Sequence, residues 1–287
     1  MPRIKEWEEL TIQDNFLFQK VMQNQHICKR LIEKLLNIKV QSITYPEAEK
    51  TITAGFASKD IRLDLYVETD TGTILDIEMQ TTAGKPEWLP KRTRYYQSMI
   101  DINIVVKGED YTNLKTSFVI FICTFDPIEK NRRIYTFRNR CVEQDGLELG
   151  DGTTKIFLNT KGTVGEIDKD IKKFLAYVDG HAPEGSFTQA IAQEVEKVKL
   201  HKETRLEYMT LLMEIKEQKR ESYAEGLADG EKRGEKRGEK RGEKRGTMQA
   251  TLVSIRHLMK KLHMTAAEAM NFLEVPAAER EKYASQL

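Results

Sequence analysis

The chain has 287 residues, of which 39% are hydrophobic and 32% are charged, and its formal net charge is +1. This length accommodates one sizeable domain with additional elements. No apolar run approaches the ~18 residues that a membrane-spanning helix requires. Because no apolar segment follows Met1 and the three cysteines are scattered, we expect a reduced, cytoplasmic protein without a secretory signal, a disulfide framework or cysteine-bound zinc.

The N-terminal part predicts a helix followed by short strands. Apolar residues recur at spacings of three and four, which predicts one helix over residues 14–36 that ends at Asn37. Short strands are expected at 40–45 and 51–56.

Two segments with alternating polar and apolar residues come next, at 61–67 and 73–80. Residues 68–72 between them have the composition of a turn, so the pattern predicts a β-hairpin.

The next elements predict a mixed sheet covered by helices. A helix is expected at 87–104, and the nearly unbroken apolar run at 117–125 is typical of a strand buried on both faces. A second hairpin is expected at 133–138 and 155–159, before a helix near 167–178. The order α–β–β–β–α–β therefore indicates an α/β fold with a mixed sheet.

The C-terminal third predicts helices and contains a tandem repeat. A long polar helix is expected at 187–224, and an amphipathic helix at 252–262 precedes a capping box that begins at Thr265.

Residues 231–246 are four copies of Glu-Lys-Arg-Gly, which carry a charge of +4, so the other residues sum to −3. Glycine at every fourth position costs about 0.8–1.0 kcal/mol each in a helix, which favours a solvated, marginal helix or a flexible linker. A twelve-nucleotide tandem repeat in the gene could change copy number by slippage, and we hypothesise that this segment varies in length.

The overall charge gives no support for a nucleic-acid partner, so any DNA contact depends on local basic groups.

The first hairpin carries the residues of chemical interest. Alternation places Asp64 on one face of its strand and Asp76, Glu78 and Gln80 on one face of the next. A turn centred near Asp70 brings Asp64 opposite Asp76 to Glu78, with Cβ atoms about 4.5–8 Å apart. Two carboxylates at this distance could share a hard cation such as Mg²⁺. The spacing alone favours the more common alternative, the solvent-exposed face of an amphipathic hairpin.

Asp64, followed after thirteen residues by Glu78-Met79-Gln80, resembles the signature of the PD-(D/E)XK nucleases. More narrowly, it resembles the Rpn family of recombination-promoting nucleases, often labelled transposases, in which glutamine replaces the usual lysine. Further segments that resemble this family are 15–20, 94–96, 108–111, 137–140 and 155–160. The resemblance covers roughly residues 10–180 and implies a restriction-endonuclease-like mixed sheet flanked by helices, with a long helical C-terminal extension.

The resemblance also implies roles for individual residues. Asp64 and Glu78 would bind Mg²⁺, with Mn²⁺ able to substitute, and Gln80 would occupy the place of the catalytic lysine. Asp14 would either cap the first helix or act as an accessory acid. Lys91, Arg92 and Arg94 are expected to contact the DNA backbone, although each could equally belong to a solvated helix face.

We therefore expect a cytoplasmic, Mg²⁺-dependent deoxyribonuclease that promotes recombination or mobile-element transfer. The alternative is a weakly active or inactive nuclease-fold module that acts in DNA binding, phage defence or partner assembly. Self-association through the C-terminal helices is an open role for the tail. The expected divisions are a nuclease domain at 1–182, a long helical segment at 183–230, the repeat linker at 231–246 and a small helical tail at 247–287.

Overall fold

The computed structural model describes residues 5–45, 63–85, 87–105 and 108–287, together with the backbone alone at 51–52 and 61–62. The chain forms two compact units, Met1–Thr210 and Leu211–Leu287. The division of the chain that we expect at residue 182 stays a prediction.

Two helices begin the first unit, α1 (Asn15–Met22) and α2 (Gln25–Leu36). The prediction of one helix over 14–36 is wrong, because the side chain of Asn24 accepts hydrogen bonds from the backbone nitrogens at 26 and 27 and starts a second helix. Asn37 ends α2 as expected, in a left-handed conformation with φ of 54°.

The strands of the described residues form two sheets. In chain order they are β1 (Ile43–Thr44), β2 (Thr51–Ile52), β3 (Ile61–Arg62), β4 (Tyr66–Thr69), β5 (Ile74–Gln80), β6 (Ser117–Cys123), β7 (Ile134–Phe137) and β8 (Thr153–Asn159). The main sheet has the order β1-β4-β5-β6-β8-β7, with β5, β6 and β8 parallel and the other neighbours antiparallel. Strands β2 and β3 form a separate antiparallel pair.

The strand predictions agree with this sheet except at one position. Both hairpins form, and β6 is the buried central strand that its apolar run predicted. The single strand expected at 61–67 is instead two strands, β3 and β4, separated by a bend at Asp64. Most of the strand expected at 51–56 lies outside the described residues.

Helices cover the sheet. Helix α3 (Trp88–Ile104) packs on β6, and α1 packs on β5. Helices α4 (Lys169–Val178) and α5 (Gly185–Leu200) pack on each other and on α2. The core between α3 and the sheet includes Tyr66, Ile74, Val119, Phe121, Phe157, Leu89, Tyr96, Met99 and Ile100. The architecture is the expected α/β fold with a mixed sheet flanked by helices.

The remaining helices are α6 (Lys202–Leu262), α7 (Ala266–Phe272) and α8 (Ala277–Ala284). The helix expected at 187–224 is interrupted at His201, whose backbone is extended, and α6 then runs through all four repeats. Every residue of 231–246 is exposed, which agrees with a solvated helix.

The second unit has its own apolar core and a confirmed helix cap. Its buried residues are Leu252, Ile255, Ala269, Met270, Val275 and Tyr283. Thr265 and Glu268 form the expected capping box before α7, with reciprocal backbone contacts of 3.3 and 2.8 Å. Among the described residues, we find no helix with the length and apolar character needed to cross a bilayer.

Candidate active site

Strand β5 carries a row of polar side chains into the interior. Asp76, Glu78 and Gln80 alternate along the strand, and their partners on β6 belong to the apolar core beneath α3. Asp76 is fully buried and Glu78 is 1% exposed. The interpretation of this row as a solvent-exposed hairpin face is therefore wrong.

Asp64 reaches the same place from the bend between β3 and β4. The β4–β5 register pairs Tyr66 with Asp76, which brings Asp64 beside Glu78. The Asp64 backbone nitrogen donates to Glu78 Oε1 at 2.9 Å, and the Met79 backbone nitrogen donates to Asp64 Oδ2 at 3.2 Å. The structure thus brings together the two carboxylates that the hairpin predicted as neighbours.

Two further elements contribute polar groups to this acid cluster, which we define as Asp64, Asp76 and Glu78. From α1, Gln19 Nε2 lies 3.4 Å from Asp64 Oδ1. From α3, Arg92 donates to Glu78 Oε2 at 2.7 Å through Nη2.

The rest of the Arg92 guanidinium is also held in place. Its Nη1 donates to Gln80 Oε1 at 2.9 Å, and its Nε donates to the Tyr96 hydroxyl at 2.8 Å. The rings of Trp88, Tyr96 and Phe121 lie 4.7–5.3 Å from the guanidinium carbon, within the range of cation–π attraction.

Burial disfavours the charged form of all three acids. It raises the pKa of Asp64 to about 6, although a backbone hydrogen bond and Arg92 act in the opposite direction. Burial, together with the charge of Asp64, raises the pKa of Glu78 to about 8. The pKa of Asp76 lies well above its ordinary value, because of burial first and then the neighbouring carboxylates.

Asp76 is the least satisfied of the three acids. Among the described residues, neither of its carboxylate oxygens has a hydrogen-bond donor. The Glu78 carboxyl lies close to it, but a hydrogen bond between the two acids forms only when one of them carries a proton. A buried carboxylate without a donor is costly, so this position favours either a proton or a cation.

The donor set fits a divalent metal. Carboxylate oxygens are the ligands that Mg²⁺ prefers, and it commonly takes one or two of them together with waters and substrate phosphates. Three ionised acids and Arg92 leave a net charge of −2, which one divalent ion would neutralise. In the part of the chain that the structure describes, no three His, Cys, Asp or Glu side chains already stand in a metal-binding arrangement. The fit therefore rests on Asp64 and Glu78, with the unsatisfied Asp76 beside them.

The other predicted site residues lie outside the acid cluster. The Asp14 carboxylate accepts from Lys5 Nζ and from the Thr11 backbone nitrogen, each at 2.8 Å. Asp14 stands at the N-cap position of α1, as expected, but its side chain makes no cap hydrogen bond to that helix. Lys91 is exposed and pairs with Glu87 at 3.1 Å, and Arg94 is exposed on the same helix.

Sequence reasoning missed two parts of the site. Alternation along the strand places Asp76 on the same face as Glu78, but it does not show that this face is buried. Arg92 was expected at the DNA backbone, which stays a prediction, and its bonds to Glu78 and Gln80 were not predicted. Its only local signal is Tyr96, one helical turn further on.

Comparison with known proteins supports the resemblance. A family model described as "PD-(D/E)XK nuclease family transposase" matches residues 15–226, about three-quarters of the chain. Neither a curated protein nor a solved structure gives a significant match. The match includes β5, the bend at Asp64 and all of α3. The chain belongs to the PD-(D/E)XK nuclease family transposases.

Proposed function

We propose that this protein is a metal-dependent DNA endonuclease that acts in the cytoplasm and promotes recombination or mobile-element transfer. The observation that carries the proposal is the contact between Asp64 and Glu78, both largely buried, beside the guanidinium of Arg92 at the C-terminal end of β5. Family membership supports a nuclease, and the oxygen donor set supports Mg²⁺, with Mn²⁺ able to substitute.

The reaction would be hydrolysis of a phosphodiester. A water oxygen forms a new bond to phosphorus, one ester P–O bond breaks, and the proton of the water passes to the leaving oxygen. Asp64 and Glu78 would hold the divalent ion. When bound, such an ion polarises the phosphate and lowers the pKa of a coordinated water. Gln80 cannot accept the proton, because its side chain is a neutral amide.

DNA binding would use the exposed part of α3. Lys91 and Arg94 are exposed on the helix that carries Arg92, so they would hold the phosphates of DNA that lies along this helix. Contacts of this kind position the backbone without reading the sequence.

The experiment is cleavage of supercoiled plasmid by the full chain with Mg²⁺, Mn²⁺ or EDTA. Asp64→Asn and Glu78→Gln keep the side-chain shape and remove the charge, so both should abolish metal-dependent nicking. Glu68→Gln is the matched control on the same hairpin, because Glu68 pairs with Lys115 instead of the acid cluster. If both site variants cut as fast as the wild type, the site assignment is wrong.

A non-catalytic role is the second candidate, acting in DNA binding, phage defence or partner assembly, with the C-terminal helices available for self-association. The observation that favours it is Gln80 in the position of the catalytic lysine. Mn²⁺ binding to the wild type without cleavage under any condition would support this role. Toxicity or phage protection on expression would then distinguish defence from assembly.

A further inference from the structure

The position that holds lysine in most PD-(D/E)XK sites is neutral here, yet the acid cluster has a cation. Arg92 reaches it from α3 and bonds both members of the Glu78-Met79-Gln80 motif that face the cluster. Among the described residues, it is the one basic side chain hydrogen-bonded to Glu78 or Gln80. The positive charge beside Glu78 therefore comes from α3 instead of from residue 80, and it lies within hydrogen-bond distance of the residue 80 side chain.

Gln80 is chemically matched to this guanidinium. Its Nε2 donates to the Thr82 carbonyl at 2.7 Å, which directs Oε1 toward Arg92 Nη1 at 2.9 Å. Because the carbonyl can only accept and the guanidinium can only donate, these contacts fix the amide orientation. A lysine at position 80 would place an ammonium against the guanidinium, so the neutral amide and Arg92 depend on each other.

Arg92 retains capacity for another ligand. A guanidinium has five N–H groups. Two of them go to the Tyr96 hydroxyl, one to Glu78 and one to Gln80, which leaves one N–H on Nη1 without an acceptor among the described residues. The side chain is 22% exposed, so part of it is in contact with solvent.

We propose that Arg92 is the catalytic cation of this site and donates a hydrogen bond to a non-bridging oxygen of the scissile phosphate. The inference rests on the proposed nuclease function and assigns the electrostatic part of the lysine's role to α3. Arginine stays protonated, so Arg92 stabilises the negative charge that builds on the phosphate and takes no proton from water. The planar guanidinium can donate to phosphate oxygens, and the contacts with its aromatic neighbours fix its orientation before the reaction.

The test uses purified full-length protein, supercoiled plasmid and Mn²⁺. Arg92→Gln should lower kcat by about 100- to 1,000-fold, the usual range for loss of one preorganised charge-stabilising donor. KM for DNA should change only a few-fold. Mn²⁺ binding, measured by calorimetry, should be as tight as in the wild type or tighter, because a competing cation has left the acids. Arg138→Gln, which removes an exposed guanidinium paired with Glu148, is the control and should cleave normally.

Moving the charge gives a second, independent readout. Gln80→Lys alone should reduce cleavage, because it brings two cations together. The double variant Gln80→Lys/Arg92→Gln should regain at least tenfold over Arg92→Gln. Arg92→Lys should lie between the wild type and Arg92→Gln, and it provides the test if Arg92→Gln does not fold.

Each failure has a distinct meaning. Full cleavage by Arg92→Gln beside an active wild type overturns the role of Arg92 and leaves the nuclease proposal intact. Loss of Mn²⁺ binding together with cleavage, or no recovery in the double variant, makes Arg92 a structural support for the acids. A wild type that is inert with every metal overturns both proposals.

Discussion

The acid cluster and the repeat segment of α6 use the same side chains under opposite conditions. In the cluster, Glu78 and Arg92 form a 2.7 Å ion pair among buried groups, whereas every glutamate and arginine of 231–246 is exposed. Water and salt weaken interactions between exposed charges, while a low-dielectric interior strengthens them several-fold. Charged residues in this protein therefore gain unusual chemical properties only where the fold excludes water, and composition alone does not identify that place.

Removal of the cluster's cation should have the largest effect on stability. Arg92→Met removes the ion-pair partner of Glu78 and the positive charge beside the other two acids, and we expect a loss of about 3–5 kcal/mol at pH 8. The loss should be smaller at pH 5, where the acids are protonated. Urea unfolding followed by tryptophan fluorescence measures it, because Trp7 and Trp88 both lie in the first unit.

The matched change in α6 is Arg220→Met, which removes an exposed partner of Glu217. We expect a loss below about 1 kcal/mol, measured by far-UV circular dichroism. Equal losses for the two arginine variants would contradict the contrast between the regions.

The pH dependence of the metal-free protein should follow the acids. Asp64 and Glu78 have folded-state pKa values raised to about 6 and 8, so the folded state holds protons that the unfolded state releases. Stability is then full near pH 4 and falls as pH rises through 8, by an amount on the order of a few kcal/mol. Thermal unfolding in EDTA from pH 5 to 9 measures the fall. Saturating Mn²⁺ should remove most of it, and stability that rises with pH in EDTA would contradict the prediction.

Asp76→Asn should stabilise the metal-free protein. The amide keeps the shape of a carboxylate that has no donor, removes its charge and can donate to Glu78. We expect a gain of about 1–3 kcal/mol at pH 8, measured by urea unfolding. Asp151→Asn is the control, because Asp151 accepts bonds from Thr153 and Asn139 and should lose stability instead.

A small gain in stability is expected from changes in the repeats. Gly234→Ala and Gly238→Ala add methyl groups that meet no atom within 4 Å, so each should stabilise the helix by about 1 kcal/mol. Gly72→Ala is the opposite case, because its φ of +76° favours glycine and the change should destabilise. Circular dichroism melts measure all three, and no gain from the helical changes would contradict a solvated helix through the repeats.

Much of the fold was predictable because its patterns are local. The alternation in β5, the apolar run of β6 and the turn between β4 and β5 each arise from neighbouring residues. Two of the misplaced helix boundaries have a common cause. Asn24 and His201 interrupt segments whose apolar spacing continues past them, so periodicity alone extends the helix too far.

The site was predictable only in part. The pairing of Asp64 with Glu78 followed from hairpin register, but alternation does not show which face of a sheet a helix will cover, so Asp76 looked exposed. The contact of Arg92 with Glu78 joins a helix to a strand fourteen residues earlier. Helix and strand periodicity do not predict a contact at this sequence separation. In addition, α3 carries other basic residues that were equally plausible partners for Glu78.

The four-residue length of the repeat has a geometric consequence for α6. At 3.6 residues per turn, one repeat is slightly more than a full turn, so adding or losing one rotates the C-terminal part of the helix by about 40° around its axis and shifts it by about 6 Å. An insertion of two residues would rotate it by about 200°. Copy-number change would thus turn the part of α6 that carries Leu252 and Ile255, relative to the part before the repeats, in closely spaced angular steps, and about nine additional repeats would restore the original phase.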